Sequence, residues 1–436
     1  MRAVSCGAAV LLLLQSASAA FPGDLFSPLI AQKVLHTYQS LPSLNQYPHV
    51  TDSTQGKWKY MPSDWWTAGF FPATLYLMNT RKTQCGASNE QAMADWLNLG
   101  RSASSALLGV TDAGDVGHDV GFVSFAFSEE LKVNPQNHTA IDAVNRFATM
   151  LAARFDPAVG CTRSWNPKPN QDSTTFEVIM DNMMNLELLF HSADLTGDNH
   201  LREIAMSHAD KTMENHIRPD GSSFHVVVYN AVTGAVIRKR TAQGYSDSST
   251  WARGQAWGIY GFSNMYRLTQ KPAYLDTARK MANWFIDHLP SDGIVPWDFN
   301  APVPTYADTS AAMVTVNGLL MLADVETDPV QKGRWIDTSF SLMNKTTTFA
   351  WRPDWESLLS NGTANVPLGS FNTGIVYGDH YFIRATNEMF RMGLTPCPGA
   401  PLAAAQTKPS SQTTNVQPNT NTKTSSARRI QPFRLW

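Results

Sequence analysis

Amphipathic helices that run into Asp-Gly turns recur along this chain, and this repetition constrains its fold more than any other feature. Apolar residues follow the helical period over 143–155, 205–217 and 278–288. The second and third of these helices lead into Asp220-Gly221 and Asp292-Gly293. Repeated helical hairpins either stack as an open solenoid or close into a ring. Because the loops are long and rich in Trp, Asp and Pro, we expect an all-α toroid with its site at the loop-bearing end.

One β-rich segment interrupts the helical pattern. Residues 224–228 and 235–240 are rich in β-forming side chains, and residues 231–234 between them have the composition of a turn. We therefore predict a β-hairpin at about 223–240, inserted in a loop just before a helix that begins near Trp251.

The two ends of the chain differ from its middle. Arg2, the apolar run over 8–14 and the small residues at 17–19 form a secretory signal, so residues 1–19 are predicted to be removed and the protein to be secreted. The composition of 399–436 predicts a disordered tail rich in Ser, Thr, Asn and Pro. The folded domain then spans 24–396, and it contains no further apolar stretch long enough to cross a membrane.

The net charge limits the classes of partner that we expect, and the cysteine count limits the number of disulfides. A net charge of −2 argues against nucleic acid or an anionic membrane surface as a partner, and we expect a monomer. Three cysteines remain after the signal, so at most one internal disulfide forms. If the chain closes into a ring, Cys85 after an early helix and Cys397 after the last one are neighbours, and we expect them to pair. Sequons that fit an exported protein occur at Asn137, Asn344 and Asn361.

The helix that begins near Trp251 carries the most specific candidate chemistry. Arg253 and Trp257 are four residues apart on one helical face, and they combine a carboxylate-binding cation with an aromatic platform for a sugar ring. Three glycines in the same helix, each costing about 1 kcal/mol relative to Ala, suggest close approach of another backbone or of a ligand. The alternative is a pair of amphipathic side chains at the protein surface.

Two aspartates are candidate catalytic groups. Asp181 lies among Met, Ile and Leu, where desolvation of its charged form raises the pKa, as a general acid requires near neutral pH. Asp119 follows His118 between two glycines that allow a backbone to approach a ligand. Each aspartate can instead be a helix N-cap, Asp119 for a helix predicted over 122–131.

Four further side chains are candidates whose structural roles remain open at this stage. Trp66 opens an early helix and Trp165 follows Cys161, and each is either a stacking surface for a sugar or part of the core. His225 lies in the predicted hairpin and Gln243 in the loop after it, and lone polar residues of this kind are usually structural.

Four segments in order resemble glycoside hydrolase family 88, the unsaturated glucuronyl hydrolases. The resemblance covers the chain from about 30 to 395, and the stretch that begins at Tyr377 is similar to the family's last helix. The four segments are Trp66-Thr-Ala-Gly-Phe, His118-Asp119-Val-Gly-Phe, Asp181-Asn-Met-Met-Asn-Leu and Trp251-Ala-Arg-Gly-Gln-Ala-Trp.

The resemblance implies an (α/α)6 barrel as the catalytic domain and an unusual hydrolytic reaction. Its substrates are oligosaccharides made by polysaccharide lyases, with a 4,5-unsaturated uronic acid at the non-reducing end. A carboxylic acid protonates the C4=C5 enol ether at C4, water adds at C5, and the resulting hemiketal opens to release a keto sugar acid. This chemistry requires no metal or other cofactor.

The resemblance also implies roles for individual residues. Asp181 matches the acid/base, and Asp119 matches the partner carboxyl that restrains the substrate near the double bond. Arg253 and His225 are expected to hold the substrate carboxylate, with Trp66 and Trp257 against the sugar ring. The full set of expected substrate-binding residues is Trp66, His118, Trp165, His225, Gln243, Arg253 and Trp257. One departure is the late loop at about 368–373, which matches the family poorly and puts a preference for glycosaminoglycan products in doubt.

Three alternatives remain open from the sequence. Glycoside hydrolase family 105, the unsaturated rhamnogalacturonyl hydrolases, shares the fold and the chemistry, although the His118-Asp119 pair favours family 88. A metal-dependent hydrolase would use His118 and Asp119 as ligands, but no nearby second cluster completes such a site. A non-catalytic sugar-binding toroid would keep Arg253 and the tryptophans without needing Asp181 in apolar surroundings.

Overall fold

Twelve helices of nine or more residues alternate between an outer and an inner ring in the computed structural model, which describes residues 26–86, 91–113, 116–167 and 171–397. Two four-residue helices complete the set within these ranges. In chain order the α-helices are α1 (Leu29–Gln39), α2 (Phe70–Cys85), α3 (Trp96–Ser104), α4 (Val110–Ala113), α5 (Val120–Val123), α6 (Phe125–Val133), α7 (His138–Ala152), α8 (Leu186–Thr196), α9 (Asn199–His216), α10 (Ala252–Thr269), α11 (Pro272–Asp287), α12 (Thr309–Val325), α13 (Pro329–Ala350) and α14 (Val376–Arg391).

Burial separates the two rings. Helices α2, α6, α8, α10, α12 and α14 form the inner ring, and α10 and α12 are buried on every side over their first turns. Helices α7 and α11 of the outer ring bury only one apolar stripe, as amphipathic surface helices do. The expected (α/α)6 toroid is confirmed, and the helices predicted over 143–155, 205–217 and 278–288 correspond to α7, α9 and α11. The helix predicted over 122–131 is wrong as a single element, because it is interrupted at Ser124 between α5 and α6.

The β-structure is small and lies in the loops. The strands are β1 (Gln46–Thr51), β2 (Trp58–Pro62), β3 (Phe155–Asp156), β4 (Cys161–Thr162), β5 (Thr175–Ile179), β6 (Val226–Asn230) and β7 (Val236–Arg240). The predicted hairpin is confirmed as the antiparallel pair β6–β7. The sequence did not predict its third strand, β5, which pairs antiparallel with β6 from Thr175 opposite Asn230 to Ile179 opposite Val226. Strand β5 is buried and leads directly towards Asp181.

The first and last inner helices close the ring. Arg81 of α2 is buried and donates hydrogen bonds to Asn387, to the Ile383 carbonyl and to Thr386 on α14. Cys85, the last residue of α2, forms a disulfide with Cys397, as predicted, and Cys161 is a buried free thiol. These contacts join segments about 300 residues apart, since the disulfide alone spans 312 residues of sequence.

The predicted signal over 1–19 and the predicted tail over 399–436 lie outside the described residues. Within the described ranges, none of the helices has the length and hydropathy needed for a membrane span.

Candidate active site

The predicted site residues come together where the inner helices begin. Trp66 precedes α2, Asp119 directly precedes α5, Asp181 precedes α8, and Arg253 is the second residue of α10. Helix N-termini present free backbone N–H groups and a partial positive charge, which favour anionic ligands. The fold therefore directs several such helix ends towards one loop-bearing face of the toroid, as the sequence predicted.

Asp181 is placed as a free carboxyl rather than as a helix cap. It lies in a 3-10 turn, Met180–Met184, and the turn has no side-chain capping bond. Its side chain is 14% exposed, and its Oδ2 atom has no hydrogen-bond partner among the described residues. Burial raises the pKa of Asp181 to about 6, although the charge of Arg253, the Asp181 backbone N–H and the Trp257 indole act in the opposite direction. The carboxyl is thus poised to carry a proton near neutral pH.

Asp119 is the second carboxyl of the site. It ends the 3-10 turn Gly117–Asp119 and stands at the N-cap position of α5, but its side chain makes no capping bond. Burial and then the charge of Asp181 raise the pKa of Asp119 well above its usual value, and Arg154 partly opposes them. Because one carboxylate raises the pKa of the other, the two groups titrate as a pair.

His118 is oriented by the protein and does not point freely at a ligand. Its buried Nδ1 lies 3.2 Å from the amide nitrogen of Asn185, and its Nε2 lies 3.5 Å from Oδ1 of Asp119. Burial lowers the pKa of His118 to about 3, so the ring is neutral. Asn185 also accepts the Phe122 N–H at 3.1 Å, and a side chain at Gly121 would collide with Asn185. The sequence predicted that a ligand approaches the backbone at Gly121, but the group that lies there is the Asn185 side chain.

His225 faces the acid from the inserted sheet. Its Nδ1 accepts the Ala242 N–H at 3.2 Å, so the ring proton of the neutral form lies on Nε2. That Nε2 is 3.7 Å from Oδ2 of Asp181 and has no closer partner in the described part of the chain. Burial, followed by the charge of Arg253, lowers the pKa of His225 well below its usual value. The ring packs on Trp251 with centroids 4.3 Å apart, which fixes its orientation.

Arg253 is buried and already paired, which corrects its predicted role. One Nη atom donates to Asp308 Oδ2 at 2.7 Å and to the Thr363 carbonyl at 2.5 Å. The other donates to Gln243 Oε1 at 3.2 Å and to the Ala364 carbonyl at 2.6 Å. Since these four bonds use all four Nη hydrogens, the predicted two-bond grip on a substrate carboxylate is wrong for this conformation. Arg253 instead supplies a fixed positive charge beside Asp181.

The aromatic residues form one wall, with a second group beside the sheet. Trp66 packs against Phe122 at 5.7 Å and against Tyr377 at 5.2 Å between ring centroids. Trp257 packs against Phe122 at 5.6 Å, but it is fully buried, so it supports the wall and does not offer an open face. Trp66 is only half-buried and remains available to a sugar. The half-buried Trp165 meets the ring edge of His225 at 6.1 Å.

The three glycines of α10 are explained by packing within the protein. A Cβ at Gly254 would meet the Trp251 ring, one at Gly258 would meet Met281, and one at Gly261 would meet Met183. At Gly254 and Gly258 the prediction that another backbone approaches is wrong, because the close neighbours are side chains, whereas at Gly261 a backbone carbon of Met183 also lies 3.5 Å from the added Cβ. These contacts fix the position of α10 beneath the site.

Three residues of the site were not singled out in the sequence. Asp308 is fully buried, caps α12 by accepting the Ser310 and Ala311 N–H groups, and pairs with Arg253. Tyr377 is the second residue of α14, and its ring centroid lies 5.5 Å from the Arg253 guanidinium. Arg154 acts on the pKa of both His118 and Asp119. The Asp-Thr-Ser pattern at 308–310 signals a helix cap, but nothing local in the sequence signals its arginine partner.

The site combines an unpaired acid with neutral histidines and a positive background. The charge of Arg253 and the helix N-termini favour an anionic sugar, and a protonated Asp181 is able to give a proton to it. Among the described residues, no three His, Cys, Asp or Glu side chains are arranged to hold a metal ion.

Comparison with known proteins agrees with this geometry. The sequence is 37% identical over 336 residues to an unsaturated glucuronyl hydrolase of Formosa agariphila, covering 74% of this chain and 80% of that protein. It is 32% identical over 371 residues to an unsaturated glucuronyl hydrolase of Bacillus sp. strain GL1, covering 80% of this chain and 92% of that protein. No family model matches the sequence.

A solved structure extends the comparison to three dimensions. The fold superposes on the crystal structure of an unsaturated glucuronyl hydrolase specific for heparin with a TM-score of 0.77 and 26% identity. That match covers 86% of this chain and all of the other. The toroid, the paired carboxyls and these relatives together define a glycoside hydrolase. The chain belongs to the unsaturated glucuronyl hydrolases, glycoside hydrolase family 88.

Proposed function

We propose that this protein removes the 4,5-unsaturated uronic acid from the non-reducing end of lyase-generated oligosaccharides. The observation that carries the proposal is the Asp181 carboxyl, which is buried, caps no helix and has a pKa raised to about 6. Relatives that share most of the chain are named unsaturated glucuronyl hydrolase or unsaturated chondroitin disaccharide hydrolase. A binding protein would have no use for a protonated carboxyl in this position.

The reaction begins with proton transfer from Asp181 to carbon. The Asp181 proton goes to C4, the π electrons of C4=C5 form the new C4–H bond, and the positive charge is shared by C5 and the ring oxygen. Water adds to C5 and returns a proton to Asp181, which restores the acid. The hemiketal then opens: the bond between C5 and the ring oxygen breaks, the ring oxygen takes the proton of the C5 hydroxyl, and C5 becomes a ketone. The hemiacetal left at C1 becomes an aldehyde, and the departing sugar keeps the glycosidic oxygen and gains a proton.

The neighbours of Asp181 keep the acid protonated and orient the substrate. The charge of Asp181 raises the pKa of Asp119, so Asp119 keeps its proton while Asp181 titrates. A bound uronate brings negative charge beside Asp181 and raises its pKa in the complex. The Nε2–H of His225 points at the acid from 3.7 Å and is able to donate to it or to a substrate oxygen. Trp66 offers a half-exposed face for the sugar ring.

We also propose a preference for uronic acid ends whose next sugar carries no sulfate. Residues 362–373, which include the late loop at about 368–373 that departs from the family pattern, contain no charged side chain. Leu368 at its tip is 81% exposed, and Phe371 stacks on Tyr306 with centroids 4.1 Å apart. An uncharged loop gives a sulfate no ion pair, and the exposed Leu368 favours contact with a neutral sugar.

Export and a monomeric state complete the proposal. The Cys85–Cys397 disulfide supports export, because such bonds persist in oxidising compartments. The described residues Asp119, Asp181, His225 and Arg253 already bring both carboxyls, a histidine and a cation together, and we propose that the protein acts as a monomer. Sedimentation of the purified protein tests the monomer, and mass analysis of the secreted form tests both signal removal and glycosylation at Asn137, Asn344 and Asn361.

The decisive experiment follows the ultraviolet absorbance of the C4=C5 double bond. The purified protein is incubated with unsaturated disaccharides derived from glycosaminoglycans, glucuronan and pectin, each with and without chelator. We expect the absorbance to fall at the same rate in both conditions, fastest with unsulfated glucuronyl ends. Fastest turnover of rhamnose-linked galacturonate-derived ends would point to the family 105 specificity. Unchanged absorbance on every substrate would overturn the proposal.

A further inference from the structure

A buried chain of hydrogen bonds runs from the turn that carries Asp181 to the outer helix α9. Asn182, the next residue after the acid, is fully buried, and its amide nitrogen donates to the carbonyl and Oγ1 of Thr162 at 3.1 and 2.8 Å. The backbone N–H of Thr162 lies 3.1 Å from Nδ1 of His208 on α9, and its Oγ1 lies at the same distance from that atom. Thr162 and His208 are also fully buried.

The donors and acceptors of this chain can have only one arrangement. A backbone N–H donates to Nδ1 of His208, so Nδ1 is unprotonated and the ring proton of the neutral form lies on Nε2. The Thr162 hydroxyl must then donate to Nδ1 while it accepts from the Asn182 amide. Every bond therefore points from Asn182 towards His208, an arrangement in which each bond polarises the next.

The same helix holds the strand that leads into the acid. His216, two turns after His208 on α9, donates from Nε2 to the Val178 carbonyl of β5 at 3.1 Å. Thr212 lies between the two histidines on the same helical face. Three polar atoms on this face of α9 have no hydrogen-bond partner among the described residues: the donor Nε2 of His208, the hydroxyl Oγ1 of Thr212 and the acceptor Nδ1 of His216.

We propose that His208 is a positioning residue for the Asp181 carboxyl, acting through Thr162 and Asn182. The proposal rests on the function proposed above for Asp181. His208 touches neither carboxyl, but it fixes Thr162, and Thr162 fixes Asn182 beside the acid. Asn182 also lies close enough to His118 to act on the pKa of that ring. The same series of hydrogen bonds therefore also supports His118, which lies next to Asp119.

A matched pair of substitutions separates hydrogen bonding from packing. Asn and Leu have similar size, but only Asn keeps an acceptor near the position of Nδ1. We expect His208→Leu to lower kcat by 10-fold to 100-fold with KM changed less than threefold. We expect His208→Asn, which leaves a similar gap, to retain at least a third of kcat. Equal loss in both variants, or unchanged kcat in folded His208→Leu, would overturn the proposal. Near-ultraviolet circular dichroism establishes that each variant is folded.

A second variant tests the path through Thr162. Thr162→Val removes the hydroxyl but keeps the backbone N–H that bonds to His208, and we expect it to lower kcat with little change in KM. Combined with His208→Leu, it is expected to cost less than the product of the two separate losses, because both variants break one chain. Fully multiplicative losses would overturn the path.

One measurement on the native protein needs no substrate. Nitrogen-15 labelling of histidine reports which ring nitrogen carries the proton, and we expect His208 to remain in the neutral Nε2–H form from pH 8 to pH 5. A charged ring or the Nδ1–H form would overturn the positioning role even if the enzyme is active. An inactive enzyme with His208 in the expected form would instead reject the proposed function.

Discussion

Nε2 of His225 and Oδ2 of Asp181 face each other across 3.7 Å, and neither atom has a closer hydrogen-bond partner in the described part of the chain. Two buried polar atoms left in this way cost stability, and in the proposed reaction the substrate supplies their partners. The Nδ1 of the same histidine is fixed by the Ala242 N–H, which leaves Nε2–H directed at the acid.

Replacing Asp181 with Asn should remove most of the activity. The amide cannot give a proton to carbon, so we expect kcat to fall at least about 100-fold, the usual scale for losing a general acid. KM should change little, because the side chain keeps its shape. Initial rates from the loss of double-bond absorbance provide the test. The control is Asp142→Asn, whose side chain is 70% exposed on α7 and should leave kcat unchanged. Full activity in Asp181→Asn would reject its role as the acid.

The raised pKa of Asp181 predicts a linkage between pH and stability. Its pKa of about 6 lies above the ordinary value of 3.8, so the folded protein binds this proton more tightly than the unfolded chain does. The stabilisation is complete below about pH 4 and is lost as pH rises through 6. Removing the titrating group should therefore make Asp181→Asn more stable than the native protein at pH 8, by about 2–3 kcal/mol. Denaturant titrations at pH 4 and pH 8 measure the difference, and equal gains at both values would contradict the prediction.

The titration of Asp181 should also control the catalytic rate. The acid must be protonated to act, so kcat/KM should decline as pH rises above about 6 in the free enzyme. Asp119 keeps its proton while Asp181 titrates, because burial and the charge of Asp181 raise the pKa of Asp119, so we expect Asp119→Asn to leave the pH at which the decline begins unchanged. Rate profiles of the native protein and this variant between pH 4 and pH 9 provide the comparison. A decline that begins at lower pH in the variant would contradict this prediction, because it would show that Asp119 is ionised and adds negative charge beside Asp181.

Removing the partner of Arg253 should be strongly destabilising. Asp308→Ala leaves a buried guanidinium without its carboxylate and uncaps α12, so we expect a loss of about 3–5 kcal/mol in the free energy of unfolding. Asp287→Ala is the matched control, because it breaks an exposed ion pair with Arg334 and should cost less than about 1 kcal/mol. Equal effects in guanidinium titrations would mean that the buried pair contributes no more than a surface pair.

The disulfide should stabilise the closed ring. Cys397→Ser is expected to lower the free energy of unfolding by about 2–4 kcal/mol, because the unfolded chain regains the freedom of a long loop. A reductant should lower the melting temperature of the native protein and leave that of Cys397→Ser unchanged. Cys161→Ala, which leaves the disulfide intact, should keep the response to reductant. A native protein that melts at the same temperature with and without reductant would contradict the role of this bond.

The local features of the fold were readable from the sequence. Helical periodicity predicted α7, α9 and α11, and two β-rich runs separated by a turn predicted the hairpin, because both patterns involve residues close together in the chain. Strand β5 was missed because its burial depends on pairing with β6, about 50 residues later. The single helix over 122–131 was a wrong prediction, since nothing in its composition signals the break at Ser124.

The sequence by itself determined the ring of helices, the order of the motifs and the acid in an apolar setting. Only the tertiary structure decided that the donors of Arg253 are already used, that Asp308 is its partner and that His208 lies behind the acid. Three of the four partners of Arg253 are 55, 110 and 111 residues away in the sequence. Side-chain type and spacing specify what a residue is able to bind, whereas the packing of distant segments specifies which partner it meets.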